Sequence, residues 1–389
     1  MAEAVIPLLI DGSTLEGGGQ LLRNSVALSA LLHRPIAIEN IRSGRKQSGL
    51  RPQHAAGLRL VSELCSGNLI GSELGSTKME FYPGHIRLSE HYVADPQTAG
   101  SVTLLLQVSL PCLLFAPPAR TYVPTHLTLR GGTNALQAPQ IDYTLNVFLP
   151  FLRRHLALSP ALHIAKRGFY PKGGGEVHVS VTPRTDPLPP VTLTERGPVT
   201  AVNGRAYVAG LPAHLAASMR DGAAAVLVAA GVSAKVIHIE TVREKPSEAV
   251  GSGSGIVLWV ETQGGCILGG SAVGSKGKHP AAVGQEAAEE LARNLRHGGC
   301  VDEYMQDQMI IFLALAQGRS RVRTGPITLH TKTAIWVAEH LTNAKFEIRE
   351  ETDQHFVVQC DGVGYIAQND PEGEVLSGSN ETACATGKT

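Results

Sequence analysis

The sequence predicts an α/β (α+β) protein in which strand-and-helix units repeat and a smaller α/β segment is inserted. Three observations predict it. A glycine-rich or small-residue loop precedes a buried apolar helix in three separate places. The middle of the chain forms its own set of strands around an alanine-rich helix, with prolines at one border and lysine and glycine at the other. The run from Arg167 to Gly175 ends in three successive glycines and opens into Glu176, Val177, His178, Val179, Ser180 and Val181. Polar and apolar residues alternate there as in a half-buried strand.

The first unit begins with a strand over Ile6 to Ile10. Asp11, Gly12 and the loop Glu16, Gly17, Gly18, Gly19, Gln20 follow, and Leu21, Leu22, Val26, Leu28, Leu31 and Leu32 then lie at helical spacing. In the second, Thr98, Ala99, Gly100 and Ser101 precede the apolar run Val102 to Phe115; in the third, Gly298 and Gly299 precede a helix over Tyr304 to Ala316. The three share a layout rather than residues, a weak repeat. It predicts helix starts that converge on one site. Between them, Val202 to Ala209, Val236 to Ile239 and Ile256 to Glu261 read as strands and Ala213 to Ala230 as a helix. Pro187, Pro189 and Pro190 mark one border of this insert, and Lys276, Gly277, Lys278 and Pro280 the other. The helix Ala287 to His297, ended by Gly298, resumes the main body. The expected division is therefore a main body over 1–185 and 281–368, an insert over 186–280, and a polar, disordered tail over 369–389.

The 389 residues suit a large domain with a smaller partner, and 43% hydrophobic content supports a sizeable core. Lysine and arginine number 34, as do aspartate and glutamate. That balance excludes a bulk polycation, so any nucleic-acid contact is expected as a local cluster that suits one chain end. Six cysteines lie without a C-x-x-C pair, which argues against a zinc site or disulfide scaffold and for a reducing intracellular compartment. The most apolar stretch, Leu104 to Ala116, falls short of the ~20 residues a bilayer requires and contains Gln107. No signal peptide, membrane span or Lys/Arg-rich import signal is read. Gly269 to Lys276 imitates a phosphate loop, but Ser275 stands where the lysine should follow Gly274. Gly251, Gly253 and Gly255 precede a strand and read as a flexible connection, not a dinucleotide fingerprint.

Three places carry candidate chemistry. Glu16, Gln20 and Arg23 sit in or after the first glycine loop, with Gln20 and Arg23 on one helix face. They read either as an exposed first turn or as a metal-binding carboxylate and phosphate clamp at a helix start. Arg42, Arg45 and Arg51 cluster with Lys46, Gln53 and His54 beside Gly44, Gly49 and Pro52. Arginine forks match phosphate oxygens, while a solvated loop face accounts for the same charges. His330 follows an expected strand Ile327 to Leu329 and precedes a helix over Thr333 to His340. A helix start lowers an imidazole pKa and a neutral ring nitrogen attacks phosphorus, yet most of the 15 histidines need only be structural or exposed.

A set of strings decides between these readings. They are Glu16-Gly-Gly-Gly-Gln20-x-x-Arg23, Ile41-Arg-Ser-Gly-Arg45, Arg51-Pro-Gln-His54, Gly131-Gly-Thr-Asn134, Pro139-Gln-Ile-Asp-Tyr143, Arg167 to Gly175, Tyr304-Met-Gln-Asp-Gln308 and Leu329-His330-Thr331. In this order they resemble the motifs of the RNA 3′-terminal phosphate cyclase family, in its catalytic branch. The resemblance implies a large domain of sheet-plus-two-helix units with a small inserted thioredoxin-like domain. It implies ATP-dependent conversion of an RNA 3′-phosphate end to a 2′,3′-cyclic phosphate, with His330 adenylylated on a ring nitrogen. It further implies that Gln107, Pro139, Tyr304, Asp307 and Gln308 line the nucleotide site and that Glu16 holds a divalent cation (Mg2+ or Mn2+). Arg23, Arg42 and Arg45 would contact phosphates, with Gln20 and Gln53 beside them. The implied location is intracellular, the nucleus by resemblance with the cytoplasm as the alternative, with no membrane and no obligate protein partner evident. Two rival readings share the fold: a non-catalytic cyclase-like scaffold of ribosome assembly, which lacks the histidine, and an enolpyruvyl-type transferase, which needs no nucleotide. Residues Pro117 to Thr125 lengthen one connection relative to the family and touch no motif.

Overall fold

Three stretches of the chain fold by one plan: strand, helix, strand, helix, then two antiparallel strands. A computed structural model describes residues 5–117, 124–352 and 354–367. The expected tail and most of the lengthened connection lie outside the described residues. In the first unit, strands Leu8–Asp11 and Ile36–Glu39 run parallel across helix Gly19–Leu32. Helix Pro52–Leu64 then leads to the antiparallel strands Asn68–Ile70 and Met79–Tyr82. The second unit repeats this order with His91–Ala94, helix Val102–Leu114, Thr125–Gly131, a helical stretch ending at Leu149–Leu156, Ala161–Gly168 and Gly175–Val181. In the third, Thr192–Leu193 lies parallel to Gln317–Thr324, helix Leu329–Leu341 follows, and Lys345–Thr352 and His355–Val363 complete the sheet. This is the implied sheet-plus-two-helix architecture.

The helices of the units pack on one another to form a shared core, with Leu21, Val26, Leu105, Leu106, Val108, Ala334 and Val337 buried. Helix Val102–Leu114 is apolar nearly all round because neighbours cover nearly all of it. Leu104 and Gln107 are its two residues that escape full burial. Among the described residues no helix is long and apolar enough to cross a membrane.

The insert forms a separate four-stranded sheet. Its order is Ile237–Glu244, Val199–Ala209, Gly253–Thr262, Ile267–Val273, with the first pair parallel and the other two pairs antiparallel. That is thioredoxin-like topology. Both expected borders shift. Thr192–Leu193 still pairs with the third sheet. Helix Pro280–Arg296, assigned above to the main body, packs along helix His214–Ala229 and strand Ile267–Val273 of the insert. Pro280, expected above to mark the border of the insert, sits at the first turn of that helix, where its missing N–H costs nothing. Gly253 and Gly255 are not a flexible connection either. They lie within a strand, and added Cβ atoms would stand 2.2 Å from the Phe169 ring and 2.3 Å from the Tyr207 hydroxyl.

A buried charge network joins insert and main body. Arg167 donates two hydrogen bonds of 2.7 Å to Asp142, and its Nε lies 2.8 Å from Glu244 of the insert. Arg205 bonds Glu244 at 3.0 Å and Glu240 at 2.7 Å, while the Tyr207 hydroxyl donates to Gln140 at 2.6 Å. Burial opposes the Arg167 charge, but Asp142 and Glu244 more than offset it and hold its pKa above the ordinary range. Arg167 and Phe169 thus tie the motif Arg167 to Gly175 into the junction with the insert.

Arg167→Gln is expected to cost roughly 3 kcal/mol in urea unfolding, because buried Asp142 would keep only Arg205, 3.7 Å away, as a cation. Glu290 gives a pH test. Burial first, then the charges of Glu303 and Asp302, raise its pKa to about 8. A raised carboxyl pKa means that stability falls as pH climbs from the ordinary carboxyl range through the folded value. Glu290→Gln should therefore raise the melting temperature at about pH 9 and leave it unchanged at about pH 4.

Candidate active site

The helix starts of the three units meet at an open cleft of about 850 Å³. Glu16, Gln20, Arg23, Arg42, Arg45, Gln53, Gln107, Pro139, Tyr304, Asp307 and His330 all line it. Gln308 stands one layer behind: Gln107 donates to its Oε1 at 2.9 Å, and its own amide donates to the Tyr304 carbonyl at 2.7 Å. Leu104, the other surface-reaching residue of its helix, also faces the cleft.

The glycine loop exists to let side chains converge on it. A Cβ on Gly19 would sit 2.6 Å from the His54 ring nitrogen and 2.9 Å from an Arg23 guanidinium nitrogen. Arg23 donates to Gln20 at 2.7 Å, which confirms their common helix face. Burial lowers the Arg23 pKa, against the pull of Asp307 and Glu16. Arg45 forms an ion pair with Glu16 and donates to the Glu16 carbonyl at 3.1 Å. The other carboxylate oxygen, Glu16 Oε2, is buried and has no hydrogen-bond partner among the described residues. Among the described residues no three His, Cys, Asp or Glu side chains form a metal cluster. One orphaned carboxylate oxygen fits Mg2+ or a similar ion, which takes few protein ligands and completes its shell with phosphate oxygens and water.

Arg42 does a different job from Arg45. Its φ of 53° is left-handed, and its guanidinium donates to the carbonyls of Gln47 at 2.8 Å and Gly49 at 3.0 Å. It braces the basic loop as well as lining the cleft. Gln53 is likewise spent on positioning, since its Oε1 accepts the Ser101 amide at 3.1 Å and ties two helix starts together.

His330 is the second residue of helix Leu329–Leu341. The strand expected over Ile327 to Leu329 is absent; the true strand ends at Thr324, where Gly325 and Pro326 break the ladder. Thr328 caps the helix by accepting the Thr331 amide at 3.0 Å. Burial lowers the His330 pKa, and the charges of Arg23 and Arg45 add to this against Glu16. Its ring is therefore neutral at neutral pH. Asp307 moves the other way, raised to about 7, mainly by burial.

Arg51, Lys46 and His54 read from the sequence as members of a candidate phosphate-binding loop, and the resemblance gives them no further role. All three line the cleft, with Gln47, Gln137, Glu303 and Thr328. His54 Nδ1 accepts the Arg51 amide at 3.2 Å, so its Nε2 carries the proton and faces the glycine loop. Burial, then Arg23, Arg42 and Arg51, lower its pKa to about 3. The available signals were capping ones: proline after Arg51 with a polar residue at the third position, and threonine just before the His330 helix.

The model of the RNA 3′-terminal phosphate cyclase family matches residues 14–348. The chain belongs to this family. It is 41% identical over 367 residues to a probable RNA 3′-terminal phosphate cyclase of Dictyostelium discoideum, covering 92% of this chain and 83% of that one. An RNA 3′-terminal phosphate cyclase of Drosophila melanogaster is 40% identical, covering 92% and 97%. One from Pyrobaculum neutrophilum is 39% identical, covering 92% and 99%.

Thermal denaturation should separate the two arginines. Arg42→Ala is expected to lower the melting temperature by several degrees, as two loop carbonyls lose a charged donor worth about 1.5–3 kcal/mol each at most. Arg45→Ala, whose side chain is half exposed, should lower it less, by the partial loss of an ion pair to the buried Glu16 carboxylate.

Proposed function

We propose that this protein converts RNA 3′-phosphate ends to 2′,3′-cyclic phosphates at the expense of ATP, through an adenylylated His330 and an RNA-adenylate. The observation that carries the reading is the convergence of a neutral histidine at a helix start with Arg23, Arg45 and an apolar wall in one cleft. In the first step a His330 ring nitrogen bonds the α-phosphorus of ATP, the α–β bridging bond breaks and pyrophosphate leaves. In the second, an oxygen of the RNA 3′-phosphate takes the adenylyl group and the P–N bond breaks. In the third, the neighbouring 2′-oxygen attacks the activated phosphate, gives up its proton and expels AMP. Splitting one displacement into such steps lowers each barrier.

Arg23, Arg45 and Arg51 neutralise phosphate charge that would repel each nucleophile. Leu104, Pro139 and Tyr304 offer flat apolar surfaces for a purine. A divalent cation held by Glu16 and by phosphate oxygens would add charge neutralisation at the same place. The five described cysteines are free and buried, which suits a reducing intracellular setting, and we place the activity in the nucleus on the family resemblance.

The test is incubation with α-labelled ATP and Mg2+. Wild-type protein should acquire an acid-labile, hydroxylamine-sensitive label, and His330→Ala should lose it while keeping its melting temperature. Labelling of His330→Ala near the wild-type level removes the histidine from this role, and an unlabelled wild type favours the scaffold. Tyr304→Ala should raise the ATP concentration needed for half-maximal labelling roughly tenfold. Transfer from pre-labelled protein to RNA should suffer less, because the base is by then tethered.

A further inference from the structure

No residue of the insert is among the described residues that line the cleft. The insert nevertheless reaches the cleft wall, at the surface through the Arg293–Glu303 ion pair and in the interior through the carboxylate of Asp302. Asp302 is fully buried, and no cation pairs with it among the described residues. Burying an unpaired carboxylate is costly, so four donors are arranged around it. Its Oδ1 accepts the Tyr304 and Met305 amides, both at 2.9 Å, and the Tyr143 hydroxyl at 2.7 Å. Its Oδ2 accepts the Gly269 amide at 2.6 Å.

These donors come from three parts of the molecule. The Tyr304 and Met305 amides open helix Glu303–Gln308, which carries Tyr304 and Asp307 into the cleft. Tyr143 ends the segment whose start, Pro139, is also in the cleft wall, and its ring meets that of Tyr304 edge-on at 5.8 Å. Gly269 belongs to strand Ile267–Val273 of the inserted sheet. It must be glycine, because a Cβ there would stand 2.5 Å from the Tyr143 ring. The false phosphate-loop pattern at 269–276 thus begins at a structural contact, and the insert touches both Asp302 and Tyr143 through one residue.

We propose that Asp302, tied to Tyr143 and to the Gly269 amide, is a positioning residue through which the seating of the inserted sheet sets the affinity for ATP. This rests on the reading that Tyr304 and Asp307 face the nucleotide. The helix continues through Met309 into helix Ile310–Leu315 at its far end, so at its first turn the cap and the lateral tie set where its side chains point.

Asp302→Asn separates capping from the tie. Asparagine keeps an acceptor oxygen for the helix amides but sets an NH2 group against the Gly269 amide. Tyr143→Phe removes the hydroxyl tie and keeps the ring. Each is expected to raise the ATP concentration for half-maximal self-labelling about tenfold. The labelling rate at saturating ATP, and transfer from pre-labelled protein to RNA, should stay within about twofold of wild type, less than a random loss of fold would allow. Unchanged ATP dependence in both variants, or a fall in saturating rate with unchanged ATP dependence, overturns the proposal. If Asp302→Asn fails to fold, Tyr143→Phe decides alone. Tyr304→Ala distinguishes the two levels: a raised ATP requirement there, with none in the tie variants, sinks the tie and leaves the nucleotide reading standing. No change in any of the three variants sinks the nucleotide reading as well.

Discussion

A guanidinium is stable in a protein interior only when carboxylates surround it, and the seating of the insert depends on that constraint. Arg167 is 5% exposed and gathers Asp142 from the main body and Glu244 from the insert. The pairing fixes the second sheet, the 139–143 segment and the inserted sheet against one another. With these in register, Gly269 and Tyr143 reach Asp302, and Asp302 reaches the helix that walls the cleft. A chain of buried polar contacts therefore runs from the junction to the site. Each member is costly if left unpaired, so the arrangement specifies geometry more than it adds stability.

The cleft itself follows from the repeat. Each unit turns from strand or loop into a helix at the same end of its sheet, so the helix starts with their unpaired amides come together. Helix starts favour anions, and the arginines of the 42–51 loop and Arg23 strengthen that preference. Burial first, and the same positive field second, lower the pKa values of His330 and His54 and keep their rings neutral, which a nucleophile or an uncharged donor requires.

Much of this was legible in the sequence because its signals are local. Helical spacing after Gly19, the apolar run from Val102 and the strand after Gly175 each follow from periodicity. The site residues were legible through resemblance; spacing alone left Glu16, Arg42 and His330 open. What stayed hidden depends on partners far along the chain. Helix Pro280–Arg296 belongs with His214–Ala229 by packing that no local pattern encodes. That Arg42, besides lining the cleft, braces its own loop shows only in its bonds to two loop carbonyls. The π-helical stretch Thr144–Phe148 has no composition that announces it. Asp302 carries an ordinary cap signal, and only the fold reveals Tyr143 and Gly269 on its other side.

Thr192–Leu193 pairs with Arg321–Val322, and the entire insert lies between these partners. As the chain emerges from the ribosome, the third sheet thus lacks its central strands until the insert has already been made. The first two units and the insert have all their strands by then, including the short edge Ala249–Val250 that the insert lends to the second sheet. Synthesis order therefore favours the insert folding early and holding the edge strand in wait, with closure of the third unit, and with it the histidine helix, as the late, long-range step. Destabilising the insert should then slow maturation of the cleft even where the finished protein tolerates the change.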